Sequence, residues 1–235
     1  MGNFDKIAIS GKMCSGKTTV ANMLISEFDY VRMSFGDEVK FLCRDIANFN
    51  RIRNTNAPQA AKVALLKAIS DDLDRITLNE KEYGDALTQV FAIMEEFSDV
   101  IYYDPMGSKK TDRIRDMLQK VGTDYMRRYV NDNIWVNAVE KKIKGFDGKI
   151  VVDDLRFPNE FEMLRNNGFV LIRLHVSREV QEQRLKKLYG RIEESKLNHP
   201  SETSLDYMMF DYVIDADVPA NEMLDNIRKL IGGGK

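Results

Sequence analysis

The chain has 235 residues, a formal net charge of −2 and a sequence pI of about 5.9. A protein that coats nucleic acid would carry a strongly basic composition, so nucleic acid is excluded as an expected partner. Hydrophobic residues make up 43% of the chain and charged residues 31%, which is the balance of a globular protein with a buried core. The two cysteines lack zinc-ligand spacing. We expect free thiols, no signal peptide, no membrane span and a cytoplasmic location.

The front of the chain reads as strand, loop, helix and strand, followed by a long helical stretch. A β-rich run at 6–10 precedes a glycine-bounded loop at 11–18, a helix at 18–28 and a second strand at 30–34. From 37 to about 144, apolar residues recur at intervals of three and four, which predicts a segment that is nearly all helical. Examples are Val63, Leu66, Ile69 and Leu73.

Strands return in the last third of the chain. They are predicted at 149–152, 169–175 and 212–214, with helices at 159–166, 179–189 and 221–231 and a polar loop at 190–204. Strands that alternate with helices at both ends of a chain indicate a parallel sheet covered by helices. We therefore predict an α/β fold with a five-stranded, mostly parallel sheet flanked by helices and a large helical insertion between the second and third strands.

The loop after the first strand matches the GxxxxGK[ST] phosphate-binding motif. Its glycines let successive backbone N–H groups point at phosphate oxygens, and the following helix presents its positive end to the same anion. Lys17 is expected to reach the β- and γ-phosphates of ATP, and the Thr18 hydroxyl to bind Mg²⁺. The predicted ATP-binding residues are Gly11, Lys12, Met13, Cys14, Ser15, Gly16, Lys17, Thr18 and Thr19. Because Cys14 lies among N–H groups at a helix start, we expect its thiol pKa to be lowered.

Acidic and basic residues follow the third predicted strand, where a Walker B-like acid would hold Mg²⁺ through water or anchor a substrate. Asp153 and Asp154 end this strand, and Arg156 and Glu160 follow. The carboxyl end of a parallel strand lies beside the phosphate loop, so we expect this group at the site. The alternative is a solvated turn with an acid that caps the next helix.

Positive charge is concentrated before and within the polar loop. The residues are Arg178, Arg184, Lys186, Lys187, Arg191 and Lys196. In a phosphoryl-transfer enzyme such a segment forms a lid that closes over the phosphates, with Arg178 and Arg191 as the preferred functional members. The alternative is a solvated basic face.

We identify no general base, which suits a phosphate monoester acceptor because its second pKa is about 6. The NKxD motif of switch GTPases is absent, although DPMG at 104–107 fits DxxG.

Four segments resemble the bacteriophage deoxynucleoside monophosphate kinases, a branch of the P-loop nucleoside monophosphate kinases. They are GKMCSGKTT at 11–19, MLQKVGTDYMRRYVNDNIWV at 117–136, VVDDLRFPNE at 151–160 and HPSETSLDYMMFDYVIDAD at 199–217. The most specific features are the Gly-Thr-Asp run followed by Trp135 and the Asp-x-Arg-x-x-x-Glu run after the third strand. The stretch 41–110 lies outside the resemblance.

The resemblance implies a single P-loop kinase domain over 1–235, with 41–147 as an acceptor-binding insertion and about 178–204 as the lid. It implies acceptor contacts from Lys40, Arg115, Gly122, Thr123, Trp135, Asp154, Arg156 and Glu160, with Asp154 also near Mg²⁺ through water. Catalytic roles fall to Lys17, Arg156, Arg178 and Arg191. For Trp135, an aromatic could stack on a base, and the alternative is a core tryptophan.

The predicted activity is ATP-dependent phosphorylation of a deoxynucleoside monophosphate to the diphosphate, with ATP and Mg²⁺ as cofactors. One alternative is a P-loop kinase of another phosphorylated small molecule, since phosphomevalonate kinases share the loop, an Asp-x-Arg and a late Ser-Glu. Another alternative is an ATPase switch that signals to a partner. We expect small-molecule nucleotides as partners, no nucleic acid and no membrane, and leave a homodimer open.

Overall fold

A computed structural model describes residues 4–76, 78–100, 111–190 and 194–232. The chain divides into two compact units. The sheet unit comprises Met1–Ser34 and Gly145–Lys235, and the helical unit comprises Phe35–Lys144. None of the described helices combines the length and the apolar character needed to cross a membrane.

The sheet unit contains five strands, and every neighbouring pair is parallel. The strands are β1 (Lys6–Gly11), β2 (Val31–Met33), β3 (Ile150–Val152), β4 (Val170–His175) and β5 (Tyr212–Asp215), arranged in the order β2-β3-β1-β4-β5. The predicted α/β fold is confirmed, and it is compatible with a P-loop kinase fold.

The helices follow the predicted pattern closely. They are α1 (Lys17–Phe28), α2 (Phe35–Arg53), α3 (Gln59–Arg75), α4 (Glu80–Glu96), α5 (Asp112–Gln119), α6 (Ile134–Lys144), α7 (Pro158–Asn166), α8 (Arg178–Tyr189), α9 (Glu194–Leu197), α10 (Pro200–Thr203) and α11 (Ala220–Gly232). A π-helix spans Lys120–Arg127, between α5 and α6. The helices from α2 to α6 lie between β2 and β3 in the chain, as predicted.

The central strand β1 is buried on both of its faces. Ile7 and Ile9, two residues apart on β1, are both fully buried and belong to one hydrophobic cluster with Leu24 of α1 and Met223 of α11. In parallel register, Ala8 pairs with Val152 on one side, and Ser10 pairs with Arg173 on the other. The carboxyl ends of β1, β3 and β4 therefore meet at the same edge of the sheet, where ligands bind in open α/β sheets.

The helical unit has its own hydrophobic core. Leu42 and Ile46 of α2 and Leu73 of α3 are fully buried, and Trp135 of α6 is 2% exposed. The start of α4 is fixed by a capping box. The Asn79 side-chain oxygen accepts from the Glu82 N–H, and the Glu82 carboxylate accepts from the Asn79 N–H. Burial of one face of each helix gives this unit most of its stability.

The segment predicted as a polar loop at 190–204 differs from the prediction, because it contains α9 and α10. The start of α10 has a local explanation. The His199 side chain accepts a hydrogen bond from the Ser201 N–H, and Pro200 occupies the first helical position, where a missing N–H costs nothing. The DPMG run at 104–107 lies outside the described residues.

Candidate functional site

The loop between β1 and α1 is wound tightly enough to require its glycines. Gly11 has φ +153°, and a Cβ there would lie 2.5 Å from the Ser15 Oγ and 2.8 Å from the Leu174 carbonyl oxygen. Gly16, which precedes α1, has φ +99°, a conformation that L side chains rarely adopt. The two motif glycines therefore allow the backbone to curl over the start of the helix.

The ammonium group of Lys17 is held inside this curl. Its Nζ donates hydrogen bonds to the carbonyl oxygens of Gly11, at 2.5 Å, and Lys12, at 2.9 Å. Burial lowers the pKa of Lys17 to about 8, and the positive charge of Arg156 acts in the same direction. An anion bound in the loop would oppose both effects, because it would stabilise the charged ammonium.

Two small side chains complete the interior of the loop. Ser15 is fully buried, and its hydroxyl oxygen has no hydrogen-bond partner among the residues that the structure describes. Cys14 has φ +64°. The predicted lowering of the Cys14 pKa is wrong: burial raises the pKa of this thiol, and the nearby charges of Lys17 and Arg184 oppose that effect without overcoming it. Both cysteines are free thiols, as predicted.

Helix α8 supports the loop from its carbonyl side. The buried Gln181 donates from Nε2 to the Met13 carbonyl oxygen at 3.1 Å. Arg184 donates from Nη1 to the Cys14 carbonyl oxygen at 3.1 Å and from Nη2 to the Ala216 carbonyl oxygen at 2.7 Å. Carbonyl groups turned towards α8 leave the N–H side of the loop for an anion. The sequence placed Arg184 only in a basic segment, and the role of Gln181 was not predicted.

The residues that follow β3 are all engaged in polar contacts. Asp153 is buried, and its carboxylate binds the Arg32 guanidinium at 2.8 Å. Asp154 accepts a hydrogen bond from the Ser34 hydroxyl at 2.7 Å and is half-buried. Arg156 donates from Nη1 to the Glu202 carboxylate at 2.6 Å. This edge of the sheet therefore brings two acids and an arginine into the unit that carries the phosphate loop.

Glu160 caps the start of its own helix, α7. Its carboxylate oxygen accepts from the backbone N–H of Arg156 at 2.8 Å and of Phe157 at 3.0 Å, and its side chain is buried. This is the helix-capping role that the sequence left as an alternative. An acceptor contact by Glu160 stays a prediction, as does one by Asp154.

Two further acids near the loop were not predicted as site residues. Glu202 of α10 is buried, and Asp206 contacts both Lys12, at 3.3 Å, and Arg173, at 2.6 Å. Arg173 lies within β4 and donates to the Ser10 hydroxyl at 3.0 Å. An arginine among the apolar residues of β4 was the available sequence signal for this group, because a largely buried charge needs a partner.

Of the two predicted lid arginines, one lies within the described residues. Arg178 is exposed and forms ion pairs with Glu182 at 2.5 Å and Glu194 at 2.6 Å. These contacts join the start of α8 to the start of α9. Arg191 lies outside the described residues. A role for either arginine in closing over phosphates stays a prediction.

The remaining predicted acceptor residues lie in the helical unit. Lys40 of α2 pairs with Asp37 at 2.5 Å, and Arg115 of α5 is half-buried. Gly122 and Thr123 lie in the π-helix, a rare form that is often found at functional sites. The predicted set is therefore divided between the units: the phosphate loop with Asp154, Arg156 and Glu160 in one, and the acceptor residues named here with Trp135 in the other.

Trp135 is a core residue of the helical unit. Its side chain is 2% exposed, and the indole N–H donates to the Gly122 carbonyl oxygen at 2.8 Å. A Cβ at Gly122 would lie 3.6 Å from the Val39 methyl groups, which is ordinary contact, so Gly122 is not required by packing. The indole therefore fixes the π-helix in place, and a contact between Trp135 and an acceptor stays a prediction.

Trp135→Phe is expected to lower the free energy of unfolding by about 1–3 kcal/mol, because it leaves a small cavity and a carbonyl without its donor. Urea denaturation followed by circular dichroism measures this change. Tyr129→Phe is the control, since Tyr129 is 55% exposed in the same unit and its change should stay within about 0.5 kcal/mol. Unchanged stability with weakened binding of a nucleotide acceptor would instead support a direct contact.

Comparison with known proteins adds a functional direction to this geometry. No protein-family model matches the chain. Two viral proteins are similar to it. A stretch of 55 residues, 23% of the chain, is 44% identical to the deoxynucleoside-5'-monophosphate kinase of Escherichia phage T5 and covers 22% of that protein. Over 180 residues, 72% of each protein, the chain is 25% identical to a protein of Acanthamoeba polyphaga mimivirus named "Putative deoxynucleotide monophosphate kinase".

The names of these relatives support a phosphotransferase. The chain spans less than a quarter of the phage protein's length, so the similarity to that protein concerns one segment only. The mimivirus protein extends the similarity over most of the chain at lower identity.

Proposed function

We propose that the chain transfers the γ-phosphoryl group of ATP to a deoxynucleoside monophosphate, giving ADP and a deoxynucleoside diphosphate. The observation that carries the proposal is the glycine-bounded loop, which holds the Lys17 ammonium on two of its carbonyl oxygens while Glu202 ties Arg156 to the same loop. Burial lowers the pKa of Lys17, and the positive charge of Arg156 lowers it further. Two cations that repel each other in this way suit a polyanionic ligand, which would relieve the repulsion. The names of the two viral relatives favour a deoxynucleotide as the acceptor.

The loop residues 11–19 fit the phosphates of ATP. A Cβ at Gly11 would fill the curl, the buried Ser15 hydroxyl lacks a partner among the described residues, and Lys17 can move from backbone carbonyls to phosphate oxygens. These features give N–H, hydroxyl and ammonium donors around one anion. We assign the donor phosphates to this loop.

Mg²⁺ prefers oxygen ligands. We assign the Thr18 hydroxyl as a direct ligand of Mg²⁺ and the Asp154 carboxylate as one that acts through a water molecule. Within the described ranges, no group of three or more His, Cys, Asp or Glu side chains could hold a metal ion. This fits an ion that takes most of its ligands from substrate phosphates and water. When bound, Mg²⁺ neutralises negative charge on the β- and γ-phosphates.

The acceptor phosphate is assigned to Arg156. Arg178 and Arg191 are proposed to add charge during transfer, and the acceptor-binding set is Lys40, Arg115, Gly122, Thr123, Trp135, Asp154, Arg156 and Glu160. A monoester acceptor is largely dianionic at neutral pH, so the chain needs to position and neutralise charge and not to remove a proton.

Binding of ATP is expected to weaken as the pH rises through about 8. The Lys17 pKa of about 8 lies below its ordinary 10.5, so the ammonium loses its proton above this pH, whereas bound phosphate favours the protonated form. Binding above about pH 8 must therefore take up a proton, and the Kd should rise by up to about tenfold per pH unit. Equilibrium binding of ATP between about pH 7 and 9.5 measures it. Lys17→Arg should flatten the profile, because arginine does not titrate there; a flat wild-type profile would contradict the expectation.

A coupled assay of ADP release tests the proposed activity. Wild-type protein is given Mg-ATP with each deoxynucleoside monophosphate, each ribonucleoside monophosphate, phosphomevalonate or no acceptor. ADP release that depends on a deoxynucleoside monophosphate, with the diphosphate recovered, is the expected result. Release that requires phosphomevalonate would favour that alternative, and release that no acceptor accelerates would indicate an ATPase.

A further inference from the structure

Glu202 joins the phosphate loop to Arg156. One oxygen of its carboxylate, Oε2, accepts from the backbone N–H of Met13 at 2.5 Å, and the other, Oε1, binds Arg156 Nη1 at 2.6 Å. The Glu202 side chain is 2% exposed, whereas that of Arg156 is 36% exposed. A single buried carboxylate therefore binds both the Met13 N–H of the loop and the arginine that follows β3.

The turn that carries Glu202 is anchored at two points. Its own N–H donates to the His199 carbonyl oxygen at 2.8 Å, which sets the first turn of α10. Four residues later, Asp206 binds Lys12 of the loop at 3.3 Å and Arg173 of β4 at 2.6 Å. The segment 199–206 thus presents two carboxylates to the phosphate loop and its flanking arginines, and only one of them, Glu202, is buried.

A guanidinium held by a buried carboxylate loses most of its rotational freedom. Charge-assisted bonds of this kind are short and directional, and a functional group held in place by a supporting side chain is ready to bind. A guanidinium has five N–H donors, so Nη1 can stay on Glu202 while other donors turn to a phosphate. Arg156 and Glu202 also act in opposite directions on the Lys17 pKa, so both charges lie within electrostatic range of the Lys17 ammonium.

We infer that Glu202 is a positioning residue, which holds the Arg156 guanidinium against the phosphate loop so that the arginine meets the phosphate in the reactive geometry. The inference rests on the proposed phosphoryl transfer and on the role given there to Arg156. Glu202 acts through Arg156 and touches no reacting atom. The competing account is that its carboxylate occupies donors that ATP needs and so restrains binding.

Glu202→Gln tests the inference, with Glu222→Gln as the matched control, because Glu222 is exposed on α11. Glutamine keeps the shape of the side chain and an acceptor oxygen for Met13 but loses the ion pair. We expect kcat at saturating substrates to fall about 10- to 100-fold, since small displacements of a positioning group cost this much. The ATP KM should change by less than about threefold, and Glu222→Gln should match the wild type.

The same change is then made in the Arg156→Ala background. If Glu202 acts through Arg156, the double variant is no slower than Arg156→Ala alone. A full additional loss would show an independent role and overturn the inference, as would a Glu202→Gln kcat within about twofold of wild type. Tighter ATP binding with faster turnover would support the competing account instead.

Two further readouts keep the test decisive. If Glu202→Gln does not fold by circular dichroism, Glu202→Asp replaces it, because aspartate keeps the charge but is one methylene too short to hold Met13 and Arg156 together. Its kcat should also fall, and a kcat within about twofold of wild type would overturn the inference. ATP affinity by equilibrium binding is measured for wild type, Glu202→Gln, Arg156→Ala and the double variant. If wild type transfers no phosphate to any acceptor, the proposed function fails. In that case coupling between positions 156 and 202 in the free energy of unfolding, measured by urea denaturation of the single and double variants, upholds the positioning contact, and additive free energies overturn it.

Discussion

Lys17→Ala is expected to lower kcat by ~10²-fold or more, because phosphoryl transfer depends on charge neutralisation and positioning around the moving group. The Lys17 ammonium lies within the loop on the Gly11 and Lys12 carbonyl oxygens, from which a short movement reaches a bound phosphate. The fold should survive the change. At neutral pH the lysine is protonated in both the folded and the unfolded chain, and burial disfavours that charge only in the folded chain. Relief of this cost offsets the loss of the two hydrogen bonds to carbonyl oxygens, so stability should change little.

Steady-state kinetics and thermal unfolding measure these two expectations on the same preparations. Lys229→Ala is the matched control, since Lys229 is an exposed lysine on α11. It should change neither kcat nor stability appreciably. A Lys17→Ala protein that keeps turnover within a few-fold of wild type would place the transferring group elsewhere, whatever its affinity for ATP.

The sheet and its site edge were predictable because they depend on local sequence patterns. The short apolar run of β1 and the glycines at 11 and 16 specify a strand, a tight loop and a helix start without knowledge of the rest of the chain. The parallel order of strands then brings the ends of β1 and β3 together. Asp153, Asp154 and Arg156 were therefore identified from their position after a short apolar strand.

Features that depend on tertiary distance were missed. Glu202 approaches the loop from 189 residues away in sequence, and although the resemblance covered its segment at 199–217, nothing in the sequence indicated this contact or a role for Glu202. For Cys14, the sequence showed the favourable charges but not the extent of burial, and burial decides the direction of the pKa shift. The π-helix was predicted only as helix, because its wider turn follows from packing, including the Trp135 bond to Gly122.

Arg156→Ala is expected to lower kcat by ~10²-fold or more and to weaken acceptor binding, while ATP affinity changes little. The arginine lies after β3, and its Nη1 is held by Glu202 at 2.6 Å. Its loss removes positive charge from the acceptor phosphate and leaves a buried carboxylate without its cation. Because the Arg156 side chain is 36% exposed, water can replace part of that pairing, and we expect a stability loss of about 1–3 kcal/mol.

Comparison of Arg156→Ala with Arg156→Lys separates the charge of Arg156 from its shape. Arg156→Lys keeps the positive charge but lacks the planar fork that can bind Glu202 and a phosphate together, so it should recover stability more fully than kcat. Arg228→Ala is the control, because Arg228 forms only surface ion pairs with Glu27 and Asp225 among the described residues, and such pairs contribute about 0–1 kcal/mol. Measurements are kcat, the acceptor KM and urea unfolding. If Arg156→Ala phosphorylates the acceptor at near wild-type rate, the acceptor phosphate does not bind at the end of β3, and the assignment of Asp154 and Glu160 to that site fails with it.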